Sequence, residues 1–130
     1  MKFNKISTLA GALILMASFS QAAQADTIYG TSGNDVLVGT SAWDTIFGNS
    51  GNDDIYGKDG WDNLYGGNGN DRLHGQEGSD NLFGGSGDDY LYGGGYPYDN
   101  LNDSLYGGSG YDICYNNSDN PYYNSCEKRR

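Results

Sequence analysis

The sequence predicts an all-β fold, a solenoid of two facing sheets with parallel strands, on three observations. A nine-residue pattern recurs in nine consecutive units from Gly30 to Tyr115, an apolar side chain returns at the eighth place of each unit, and glycine and aspartate crowd the interval between. Glycine at this density argues against helix, because each one costs roughly 1 kcal/mol relative to alanine in a helix interior. A fixed short period is the mark of a repeat architecture.

In register the units are GTSGNDVLV from Gly30, GTSAWDTIF from Gly39, GNSGNDDIY from Gly48, GKDGWDNLY from Gly57, GGNGNDRLH from Gly66, GQEGSDNLF from Gly75 and GGSGDDYLY from Gly84. The eighth, GGGYPYDNLNDSLY from Gly93, is stretched by five residues, and the last is GGSGYDICY from Gly107. Asp26-Thr27-Ile28-Tyr29 supplies the second half of a preceding unit. Positions one to six are a turn whose glycines take backbone conformations costly to residues with a Cβ. Positions seven to nine alternate exposed, apolar, exposed, which predicts a short strand with one buried face. Position eight holds Ile28, Leu37, Ile46, Ile55, Leu64, Leu73, Leu82, Leu91, Leu105 and Cys114, the predicted core. A tight turn after each strand sends the chain back, so consecutive strands belong to opposite sheets and alternate strands stack in parallel about 4.8 Å apart. One coil uses two units, and the array makes about five coils, roughly 25 Å long at that spacing. The insertion precedes Asp103, so residues 95–101 are expected to bulge outward while the strand at Ser104-Leu105-Tyr106 keeps its register.

Residues 1–25 have the features of a secretory signal peptide: Lys2 and Lys5, an apolar run from Leu9 to Phe19, and the small-residue site Ala23-Gln24-Ala25. That run is shorter than the ~20 residues needed to span a bilayer. Removal after Ala25 leaves residues 26–130, in which 5 basic and 17 acidic residues give a formal charge of 5 − 17 = −12. A surface so acidic disfavours nucleic acid and anionic lipid and favours cations. Export to an oxidising compartment predicts a disulfide between the only two cysteines, Cys114 and Cys126, closing the C-terminal end. Residues 116–125 would then fold back over the open core as a cap.

In the two-sheet arrangement the aspartates form two rows. Asp35, Asp53, Asp71, Asp89 and Asp112 fall on one edge, and Asp44, Asp62, Asp80 and Asp103 on the other, with Asp26 at its end. Carboxylates stacked about 4.8 Å apart repel by roughly 0.9 kcal/mol per neighbour in water and more inside a protein, so a cation is expected between them. Carboxylate and carbonyl oxygens without sulfur or imidazole suit Ca²⁺, which takes six to eight oxygen ligands in flexible geometry.

The nonapeptide G-G-x-G-x-D-x-U-x resembles the RTX, or haemolysin-type, calcium-binding repeat over residues 26–115. The resemblance implies a right-handed parallel β-roll that holds about five to seven Ca²⁺ ions between turns two units apart. By matching position, its ligands would be Asp35, Asp44, Asp53, Asp62, Asp71, Asp80, Asp89, Asp103 and Asp112. Position two departs from glycine at Thr31, Thr40, Asn49, Lys58 and Gln76, and position four is Ala42 in the second unit, which predicts strain in the turn around Asp44.

Position nine carries Val38, Phe47, Tyr56, Tyr65, His74, Phe83, Tyr92, Tyr106 and Tyr115. These rings are a platform for sugars or a partner, or they support the sheet by stacking across strands, and the second reading is favoured. His74 has no cysteine or second histidine in matching register, and Trp43 and Trp61 share position five on one edge. No nucleophile, base or carboxylate pair stands apart from the repeat, so an enzyme is not expected. The leading expectation is an exported, non-enzymatic calcium-binding β-roll protein that folds on binding Ca²⁺. The alternative is a calcium-dependent adhesin or extracellular-matrix or glycan-binding module using the aromatic faces or the Tyr96-Pro97-Tyr98 loop.

Overall fold

A computed structural model describes residues 6–9, 12–16, 24–94, 103–115 and 126. The repeat folds as its period dictates. Strands β3 (Thr27–Tyr29), β5 (Thr45–Ser50), β7 (Asn63–Asn68), β9 (Asn81–Ser86) and β11 (Ser104–Ser109) form one sheet. Strands β4 (Asp35–Val38), β6 (Asp54–Gly60), β8 (Arg72–Gly78), β10 (Tyr90–Gly94) and β12 (Ile113–Tyr115) lie in the other. Every pairing within the repeat is parallel and joins strands two units apart, as in Ile46 beside Leu64 and Ile55 beside Leu73. The result is a two-sheet β-solenoid of about four turns with no helix among the described residues.

Alternation along each strand sends position eight inward and its neighbours outward. Nine of the ten position-eight residues, Ile28 to Leu105, are at most 1% exposed, and Cys114 is buried at the C-terminal end. The register survives the stretched unit, for Leu105 pairs with Leu82 and Tyr106 with Phe83. The expected bulge at 95–101 lies outside the described residues. Cys114 and Cys126 form the expected disulfide, with Cα atoms 5.9 Å apart, and Cys126 packs against the core. The path of residues 116–125 also lies outside the described residues.

Before the repeat, β1 (Ile6–Leu9) and β2 (Ala12–Met16) pair antiparallel, and β2 lies parallel to β4, with Leu15 beside Leu37. The nine-residue period carries no sign of this pairing, which satisfies an open sheet edge rather than a repeat position.

On the outer faces the position-nine rings stack along the solenoid. Tyr29, Phe47, Tyr65, Phe83 and Tyr106 follow one another with centroids 4.8–5.2 Å apart and nearly parallel planes. Tyr56, His74, Tyr92 and Tyr115 do the same on the other sheet at 4.8–5.1 Å. These separations repeat the strand spacing, so the rings follow the sheet and face one another, the supporting arrangement. Burial between Tyr56 and Tyr92 pushes the pKa of His74 down, and Arg72 adds to this against the opposing pull of Asp54.

Candidate metal centre

All nine position-six aspartates are buried, none more than 3% exposed. A buried carboxylate needs partners for its oxygens, and the turns provide them unequally. One oxygen is taken by the coil before it. The backbone N–H of Asp35 donates to Asp53 Oδ1 at 2.8 Å, that of Asp53 to Asp71 Oδ1 at 2.8 Å, and that of Asp71 to Asp89 Oδ1 at 2.8 Å. The other edge repeats the contact from Asp44 to Asp62 and from Asp62 to Asp80, at 2.7 and 2.8 Å. Asp80 and Asp89 donate across the stretched unit to Asp103 and Asp112 at 3.0 and 3.1 Å. Each row is therefore threaded by side chain-to-backbone bonds that the sequence alone did not reveal.

The second oxygen is different. Oδ2 of Asp53, Asp62, Asp71 and Asp89 is buried with no hydrogen-bond partner among the described residues. These oxygens lie against the position-one glycine of their own unit, where a carbonyl from two units ahead converges. A Cβ on Gly48 would strike both Asp53 Oδ2 and the Gly66 carbonyl oxygen, the latter at 2.5 Å. Gly66 stands likewise between Asp71 Oδ2 and the carbonyl of Gly84, and Gly84 between Asp89 Oδ2 and that of Gly107. On the second edge Gly57 and Gly75 occupy the same place, beside Asp62 with Gly75 O and beside Asp80 with Gly93 O. Glycine is required at these positions because any side chain would fill the slot between acid and carbonyl.

Desolvation raises the pKa of Asp53 and Asp62 to about 6 and of Asp89 to about 7, and also raises that of Asp71. The bond from the preceding coil works against burial in each case, while neighbouring carboxylates add to it for Asp53, Asp62 and Asp89. A cation between acid and carbonyl would remove that burden. No cluster of three or more His, Cys, Asp or Glu side chains able to hold a metal occurs among the described residues, so an ion here draws on one carboxylate oxygen and backbone carbonyls. That donor set fits a hard cation with flexible coordination, and Ca²⁺ fits better than Mg²⁺, which demands a tight octahedron and keeps its waters.

The position-four turn explains another departure. Gly51, Gly60, Gly69, Gly78, Gly87 and Gly110 have φ between +111° and +136°. Ala42 is not among the positive-φ residues; its N–H donates to Thr40 Oγ1 at 3.1 Å in a turn of another shape. The strain expected around Asp44 from Ala42 is therefore absent. Strain falls instead at position two, where Asn49, Lys58 and Gln76 adopt φ of 76°, 87° and 82°.

A parallel β-solenoid with one aspartate and converging carbonyls in turn after turn defines a class of repeat protein built around cations held at its edges. The RTX calcium-binding nonapeptide repeat matches in four copies, over residues 22–55, 38–73, 65–95 and 102–122, and the chain belongs to this family. No curated protein and no solved structure matches it. Among the described residues no helix is long and apolar enough to cross a membrane.

Proposed function

We propose that this chain is an exported, non-enzymatic calcium-binding β-roll protein that completes its folding on meeting Ca²⁺ outside the cell. The observation that carries the reading is the buried Oδ2 of Asp53, Asp62, Asp71 and Asp89, left without a hydrogen bond beside glycine and next-coil carbonyls. Calcium bound there supplies positive charge where burial and like-charged neighbours oppose ionisation. Asp53, Asp62, Asp71, Asp80 and Asp89 would hold it with the facing carbonyls, and the position-eight side chains hold each turn to the core. At ~1 mM Ca²⁺ and an assumed Kd of about 10⁻⁴ M, each site adds about 1.4 kcal/mol by mass action, so a row of sites rivals the whole stability of an ordinary domain. Export is supported by the features of residues 1–25, and the two rows of buried aspartates suit a compartment rich in divalent ions.

Circular dichroism of the chain beginning at Asp26 tests the reading. Added Ca²⁺ should convert coil to β-sheet, chelator should reverse it, and Asp53→Ala with Asp71→Ala should move the midpoint to higher Ca²⁺. A chelated sample with full β-sheet signal and an unchanged thermal transition would overturn it.

A further inference from the structure

The first turn on each edge is built unlike those that follow. The Thr31 N–H and Oγ1–H both donate to Asp35 Oδ2, at 2.5 and 3.0 Å, and those of Thr40 donate to Asp44 Oδ2 at 2.6 and 2.9 Å. Each hydroxyl also accepts a bond from position four, from Gly33 N–H and Ala42 N–H at 3.1 Å. The backbone follows suit. Strands β5 to β9 run on into the next unit, so that Asn49 pairs with Gly67 and Lys58 with Gln76, whereas β3 and β4 stop at Tyr29 and Val38. Position two is left-handed at Asn49, Lys58, Gly67, Gln76, Gly85 and Gly108, but not at Thr31 or Thr40.

The rest of the slot is present in both turns. A Cβ on Gly30 would meet Asp35 Oδ2 at 2.9 Å and the Gly48 carbonyl oxygen at 2.5 Å, and one on Gly39 would meet Asp44 Oδ2 at 2.7 Å and the carbonyl of Gly57. What differs is the threonine. A carboxylate oxygen has about two lone-pair sites, and two donors from one residue fill them. Local side chain-to-backbone bonding of this kind competes with strand pairing, which is why the strand ends there.

We propose that Thr31 and Thr40 close the first slot on each edge with hydrogen bonds in place of a cation, making a metal-free cap at the N-terminal end of the array. Resting on the calcium reading above, this confines Ca²⁺ to the five slots opened by Gly48, Gly57, Gly66, Gly75 and Gly84. A solenoid needs ends that differ from its repeats, and a turn independent of metal gives the stack a preformed rung on which later coils build.

Elemental analysis of the chain dialysed against saturating Ca²⁺ tests the cap by counting ions. The expected count is five, rising towards seven in Thr31→Gly/Thr40→Gly as the slots at Gly30 and Gly39 open. Seven ions in the unaltered chain, or no gain in the folded glycine variant, would overturn the cap while leaving the calcium reading intact; no bound calcium at all would instead sink that reading. Should the glycine variant fail to fold, Asp35→Asn/Asp44→Asn decides. It should keep five ions, whereas Asp53→Asn/Asp62→Asn should keep about three, and equal losses in the two pairs would again overturn the cap.

Discussion

The two edges of the solenoid carry the same row of aspartates over the same core, and they are finished with different chemistry. On the edge of Asp53, Asp71 and Asp89, position five is an amide ladder. The N–H of Asn52 donates to Asn34 Oδ1 at 2.8 Å, that of Asn70 to Asn52 Oδ1 at 2.8 Å, and those of Asp88 and Tyr111 continue it at 2.9 Å. On the edge of Asp44 and Asp62 the same position holds Trp43 and Trp61, 60% and 55% exposed and stacked 4.8 Å apart. That edge also takes Ala42, the left-handed Lys58 and Gln76, and the five-residue insertion before Asp103. The difference separates what the architecture requires from what it tolerates. Positions one, six and eight face the slot or the core and hold on both edges, while positions two and five vary and position four gives up glycine only at Ala42, in a turn of another shape.

The comparison is easiest to break at position four. A Cβ on Gly69 would strike the carbonyl of Gly51, and one on Gly78 that of Gly60, both at positive φ. Gly69→Ala and Gly78→Ala should each cost more than about 3 kcal/mol in urea unfolding at saturating Ca²⁺, from collision and backbone strain together. If one edge tolerates the alanine, the edges are not equivalent where the turns touch.

Next in size is the response to pH without calcium. Folded-state pKa values raised to about 6 at Asp53 and Asp62 and about 7 at Asp89 mean that the folded chain binds more protons than the unfolded one above pH 3.8. Their contribution to stability is full below that ordinary carboxylate value and lost as pH rises through about 6 to 7. Chelated protein should therefore hold more β-sheet signal near pH 4 than near pH 7.5, where it is coil. With Ca²⁺ present the order should reverse, because protons compete with the ion. A chelated sample with more β-sheet at pH 7.5 than at pH 4 would mean that protonating these carboxylates does not favour the metal-free fold.

Smaller changes sharpen the contrast between edges. Asn52→Ala removes one rung of the amide ladder and should cost about 1 kcal/mol. Lys58→Gly and Gln76→Gly relieve left-handed strain and should each stabilise by about 0.5 kcal/mol net of the entropy glycine adds to the unfolded chain, more than Asn49→Gly does, because asparagine tolerates that conformation. Trp61→Ala, which loses one exposed stacking contact, should cost roughly 0.5 kcal/mol. Thermal midpoints at fixed Ca²⁺ would rank all five.

The sequence alone determined the solenoid, because its causes are local. A strand with a single inward apolar side chain, bounded by glycine turns at a fixed interval, buries Ile46, Leu64 and Leu82 together only by stacking coil on coil. It also placed the aspartates in two rows, since a common position in every unit becomes a column once the coils stack. The tertiary structure decided which oxygens of those aspartates are already satisfied. Asp53 and Asp35 occupy the same place in the repeat, yet Asp53 Oδ2 is left without a hydrogen bond while Asp35 Oδ2 receives two from Thr31. Threonine at position two is compatible with strand and with turn, and the choice depends on whether a neighbouring coil outcompetes its own hydroxyl for the backbone. That competition is between residues many positions apart, and only the assembled stack decides it.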